Sequence, residues 1–196
     1  GDMTEAADGT EAADGTEAAD GTEAADGTEN AGRSDSDAPD PDDRLDQPVV
    51  RVVRLSCSRE RAFDAFTKDI GEWWPRSFSN SGDRLANVIV EPEVDGLVYE
   101  VNMDGEQTAW AAVTRVRNGK SITLLWTLGV RAPNPTKLEF DFADDRPAAV
   151  VTMHHSGFTS LDDRGRFDHG LGWDVVLAAY QAYADSTQSD GPPASP

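Results

Sequence analysis

Residues 95–105 read Asp95-Gly96-Leu97-Val98-Tyr99-Glu100-Val101-Asn102-Met103-Asp104-Gly105. Two Asp-Gly pairs bracket a run of mostly apolar and β-branched side chains. Asp-Gly favours the positive-φ turns that join antiparallel neighbours, so this run is a strand with a hairpin at each end. The pattern extends in both directions. Strand-like runs at 85–91, 108–116, 121–128, 137–142 and 148–155 surround it, and Asn118-Gly119 supplies another hairpin signal. Residues 49–55 make an earlier strand, which gives a six-stranded meander with one strand upstream.

Strand side chains alternate with period two, so the faces can be assigned. Leu97, Tyr99, Val101 and Met103 share one side; Ile122, Leu124, Trp126 and Leu128 share one; Leu138, Phe140 and Phe142 share one. These rows predict one apolar sheet face.

Helices fill the remaining segments. Ser58 is a good N-cap for a helix ending near Thr67, with Glu60 in the first turn. A short helix over 69–74 stops at Pro75. The last helix is expected over 168–185, with Trp173, Val176, Leu177, Tyr180 and Ala184 on its main apolar face. Leu171, Val175, Ala178 and Ala182 on the reverse predict that it is contacted on more than one side.

Seven strands span roughly 30 Å, whereas a helix is about 10 Å across. A flat sheet would leave most of its apolar face wet. The expected fold class is therefore α+β: a strongly curved antiparallel sheet of about seven strands wrapped around the C-terminal helix, with two short helices after the first strand. Such curvature leaves a cavity between helix and sheet, where small apolar ligands bind.

Charge separates this domain from what precedes it. The chain carries a formal charge of -20 over 196 residues. Residues 1–47 hold 16 acidic side chains against two Arg, a net of -14, which leaves -6 for the remainder. Thr4-Glu5-Ala6-Ala7-Asp8-Gly9 recurs three more times, ending at Gly27. Its only apolar side chain is Ala, and its Gly weakens any helix, so it cannot offset chain entropy by burial. The expected division is a disordered acidic tail over 1–47, one domain over 48–186 and a disordered tail over 187–196.

The acidic balance argues against nucleic acid as a partner. No stretch is long and apolar enough to span a membrane, and no secretory leader is expected. Cys57 is the single cysteine, so no internal disulfide forms, which fits a cytoplasmic location.

Several motifs resemble a known family. They are Ser58-Arg59-Glu60-Arg61-Ala62-Phe63-Asp64-Ala65-Phe66-Thr67, Gly71-Glu72-Trp73-Trp74-Pro75, and Glu91-Pro92-Glu93-Val94-Asp95-Gly96-Leu97-Val98-Tyr99-Glu100. Trp110, Trp126, His155-Ser156-Gly157-Phe158 and Gly172-Trp173 continue the match. Together they resemble the family of the activator of the heat-shock-protein-ninety ATPase, within the START-like or SRPBCC superfamily. Ala111 and Asp95 stand where that family usually has Gly. The resemblance implies a helix-grip fold and one of three activities. These are ligand carriage, protein contact of the co-chaperone kind, or a polyketide cyclase or dehydratase.

The candidate ligand-binding residues are Trp74, Tyr99, Trp110, Trp126, Phe140, Met153, His155, Phe158, Trp173 and Leu177. Loops 76–83 and 129–135 are expected to frame the mouth. His155 shares the parity of Val151 and Met153, so its imidazole is expected to point inward; it either contacts a ligand or is satisfied by backbone groups near Gly157. His154 faces the other way, so these two and His169 do not chelate together, and no metal is expected. No cofactor is expected and no catalytic residue is assigned. The leading expectation is a small apolar molecule held in the cavity, with a protein partner as the alternative.

Overall fold

Gly105 and Gly119 take positive φ, 84° and 68°, and close their hairpins as the sequence predicts. At Asp95-Gly96 it is Asp95 that takes positive φ, 68°. Gly96 serves a different need there, because a Cβ would collide with the carbonyl and side chain of Glu91.

The computed structural model describes residues 41–131 and 133–186. Among them, seven strands form one antiparallel sheet in the order β1-β7-β6-β5-β4-β3-β2. They are β1 (Val49–Leu55), β2 (Leu85–Val90), β3 (Leu97–Asn102), β4 (Gln107–Arg117), β5 (Ser121–Trp126), β6 (Thr136–Asp145) and β7 (Ala148–Ser156). The sheet curls as a half-barrel, and the architecture is α+β of the helix-grip kind.

On β5, β6 and β7 the inward side chains are Ile122, Leu124, Trp126, Leu138, Phe140, Phe142, Val151, Met153 and His155, all buried. On β3 the expected parity is reversed. Val98 and Glu100 point inward, each 1% exposed, while Leu97 and Met103 are exposed. The adjoining strand β4 carries a β-bulge. Val98 pairs with Ala111 and Tyr99 with Ala109, so Trp110 is the extra residue on β4. The bulge turns Trp110 fully into the core, where its Nε1–H donates to Glu100 Oε2 at 2.7 Å.

Among the described residues, five α-helices accompany the sheet, α1 (Pro41–Asp46), α2 (Arg59–Thr67), α3 (Ile70–Trp73), α4 (Leu161–Asp168) and α5 (Trp173–Ser186), with single 3-10 turns at Arg76–Phe78 and Gly82–Arg84. Ser58 caps α2, its Oγ accepting from Arg61 N at 3.2 Å. The gripped face of α5 is the expected one: Trp173, Val176, Leu177, Tyr180 and Ala184 are all buried. Tyr180 donates to Ala62 O at 2.6 Å and ties α5 to α2.

Three expectations are corrected. The segment before Trp173 is not one helix with α5. Ser160 caps a separate α4, and the chain turns at 169–172. Gly172 makes the turn possible, because a Cβ there would lie 2.5 Å from Arg166 O. Second, the reverse face of α5 is open: Val175 is 37% exposed, and Leu171, in the turn before the helix, is 81% exposed. Third, the acidic segment ends in helix α1, where Leu45 packs against the core. Expected residues 1–40 and 187–196 of the two tails lie outside the described residues.

Arg51 on β1 holds the α4–α5 corner. It donates to Asp168 O at 2.6 Å and to Asp174 Oδ1 at 2.7 Å. The bond to Asp174 raises its pKa above the ordinary arginine value. No described helix is long and apolar enough to cross a membrane.

Candidate functional site

Three indoles from three elements meet under the curl of the sheet. Trp74 follows α3, Trp126 ends β5 and Trp173 opens α5. Their ring centroids lie 5.6 to 6.4 Å apart. Beside them opens a cavity of about 350 Å³. Val176, Leu128 and the rings of Phe78 and Phe167 extend its apolar wall. Ser77, Ser79 and Asn80, from the turn after Trp74, and Arg166 on α4 contribute polar groups. The volume is at the small end of the range for ligand sites, and the mainly aromatic lining is typical of them.

The wall indoles have no N–H to offer an occupant. Trp74 Nε1 donates to Phe78 O at 3.2 Å, Trp126 Nε1 to Leu128 O at 2.8 Å, and Trp173 Nε1 to His155 Nδ1 at 3.0 Å. The last bond fixes the histidine tautomer. Indole N–H is a donor only, so Nδ1 is the acceptor and Nε2 carries the proton. Nε2 lies 2.7 Å from Thr136 Oγ1, which in turn donates to Trp126 O at 3.2 Å. His155 thus locks two walls of the cavity together from behind.

Burial pushes the His155 pKa down from 6.5 to about 3. The unfolded chain binds a proton on this side chain below about pH 6.5, and the folded protein does not until about pH 3. Stability is therefore undiminished by this group above pH 6.5 and falls as pH drops through that window. Lowering the pH from 7 to 5 is expected to cost about 2 kcal/mol from this group. The cost should appear as a lower urea midpoint and vanish in His155→Asn. An equal pH slope in that variant would show that other groups carry the dependence.

Glu100 supports the mouth. Besides Trp110, its carboxylate accepts from Ser81 Oγ at 2.5 Å and Asn80 N at 2.9 Å. A carboxylate on a core strand thereby holds the polar loop that forms one lip.

The structure gathers Trp74, Trp126 and Trp173 at the cavity, with both expected loops represented by Ser77–Asn80 and Gly129. Trp110, Phe140, Met153, His155, Phe158 and Leu177 are buried but do not line it. They form the layer behind. Phe158 packs on His155 at 4.5 Å, and Trp110 on Trp74 at 4.9 Å. Tyr99 is half-buried and its parity places it on the outer sheet face. Arg166, Phe167 and Gly172 were not expected. Their signal was Ser160 followed by Asp162 and Asp163, an N-cap with an acidic first turn. Among the described residues no cluster of His, Cys, Asp and Glu could hold a metal.

No family model matches the chain, and no curated protein matches it. Solved structures do. CalC, a self-sacrificing resistance protein from Micromonospora echinospora, aligns with a TM-score of 0.56 and 23% identity, over 75% of this chain and 99% of its own. Protein NE0264 from Nitrosomonas europaea aligns with a TM-score of 0.56 and 12% identity, over 74% and 97%. The Aha1 dimer from Colwellia psychrerythraea aligns with a TM-score of 0.53 and 17% identity, over 70% and 96%. The element order, the curled sheet gripping α5 and these likenesses together show that the chain has the START-like, or SRPBCC, helix-grip fold.

Proposed function

We propose that this domain binds a small hydrophobic molecule in the cavity between the curved sheet and α5. One observation carries the reading: a cavity of about 350 Å³ whose wall holds Trp74, Trp126 and Trp173, all with their polar atoms already paired. Aromatic walls without free donors favour an apolar body.

Binding is favoured over proton-transfer chemistry of the cyclase or dehydratase kind. Among the described residues the lining contains no carboxylate, imidazole, thiol or amine. His155 lies behind Trp173 with both ring nitrogens engaged. A protein partner is the second reading. The exposed apolar side chains of Leu171, in the turn before α5, and of Val175 on its reverse face favour it, as does the fold shared with the Aha1 dimer.

The uncharged dye phenylnaphthylamine tests the first reading. It should bind saturably to the folded protein, gain emission and quench the tryptophans. Val176→Phe fills the cavity from α5, and Ser77→Trp obstructs its lip; each should weaken binding about tenfold or more while the melting transition persists. Absence of saturable binding, or binding that neither substitution alters, overturns the small-ligand reading and leaves the surface of α5 as the site to pursue.

A further inference from the structure

We infer that the occupant is an anionic aromatic molecule: a planar apolar body bearing one acidic oxygen group, such as a carboxylate, phenolate or sulfonate, held at the mouth by Arg166. This rests on the cavity reading above and names the ligand class.

The inference comes from counting which polar atoms are left to meet an occupant. The three wall indoles are committed to partners behind the wall. Ser79 is committed as well, donating to Arg76 O at 2.7 Å and accepting from Gly82 N at 2.9 Å. What remains among the described lining residues is the Ser77 hydroxyl, the Asn80 amide and the Arg166 guanidinium.

Arg166 dominates that set. Its Nη1 makes one long bond, 3.5 Å to Gly129 O, which spans the gap between α4 and the loop after β5. A guanidinium has five donors, so most are left for the mouth. Asp168, two residues on, is occupied by Arg164 at 2.6 Å and by Arg51. Six of the thirteen described arginines sit in ion pairs with described carboxylates; Arg166 is among the seven that do not, and among the described residues it is the one arginine that lines the cavity. An arginine without a described acid partner at an apolar cavity is placed to receive one. Guanidinium donates and cannot accept, so an amine is disfavoured and an oxyanion favoured.

Two dyes of similar shape separate this inference from the cavity reading. Anilinonaphthalenesulfonate carries a permanent negative charge and phenylnaphthylamine carries none. Arg166→Gln should weaken sulfonate binding about tenfold and change the neutral dye less than about twofold. Arg166→Lys should recover part of the loss. Added salt should weaken sulfonate binding to the unaltered protein more than to Arg166→Gln. If both dyes bind and Arg166→Gln affects neither, or both equally, the anionic class is wrong and the apolar cavity stands. If neither dye binds the unaltered protein, the cavity reading itself falls and this inference with it. Arg166 is exposed, so the substitution should leave the melting transition in place.

Discussion

Trp173→Ala is expected to lower the unfolding free energy by about 3–5 kcal/mol. The side chain is 3% exposed and sits where α5 enters the grip of the sheet. Its ring packs against Trp126, Phe140, Phe167 and His155, so truncation leaves a void that four neighbours cannot all fill. It also removes the donor to His155 Nδ1, a buried acceptor whose loss of partner costs about 1–3 kcal/mol unless water enters. Guanidinium denaturation measures the sum. Trp173→Phe keeps most of the packing and loses only the N–H, so it should recover more than half of the deficit. A loss below about 1 kcal/mol for Trp173→Ala would show that α5 is not held through this residue.

Glu100→Ala is expected to cost about 3–4 kcal/mol, although the position reads as a surface residue in the sequence. The carboxylate is 1% exposed and accepts three hydrogen bonds. Its removal strands the Trp110 indole N–H, which is fully buried, and frees Asn80 and Ser81 from β3. The loop at the cavity mouth should then become accessible to proteases in the native state. Glu100→Gln keeps the volume but presents an amide N–H to one of the three donors, so its cost should be intermediate. Equal stability of Glu100→Ala and the unaltered protein would mean that the carboxylate is solvated rather than bonded as described.

The sequence made some of this legible, for reasons that can be named. Turn chemistry at Gly105 and Gly119 is local, so the meander could be read directly. The row on β6 alternates cleanly because one face is core and the other is water. The α5 face could be read for the same reason. On β3 the rule misleads, since Leu97, Tyr99 and Val101 are more apolar than Val98, Glu100 and Asn102. An inward Glu100 makes sense only once Trp110, Ser81 and Asn80 are known to converge on it, and those contacts are non-local. Helix α4 was hidden by its composition: five of its eight residues are Asp or Arg beside Gly165, with Phe167 its one aromatic. The site inherits both difficulties. Its indoles were visible as aromatic residues, but Ser77, Asn80 and Arg166 come from segments whose positions depend on tertiary packing.

Gly172 gives the mouth a mechanical property. The α5 entry rests against the carbonyl of Arg166 across a gap that a single methyl group would close. A wall made of side chains widens when a rotamer changes. Here the spacing is set by main chain against main chain, and α4 is also pinned to β1 through Asp168 and Arg51. The backbone beneath Phe167 and Arg166 therefore shifts only with α4 as a unit. A guest that needs more room than the rotamers of these two side chains give must lift a helix together with its ionic tether, or break the hydrogen bonds that hang the opposite lip on Glu100.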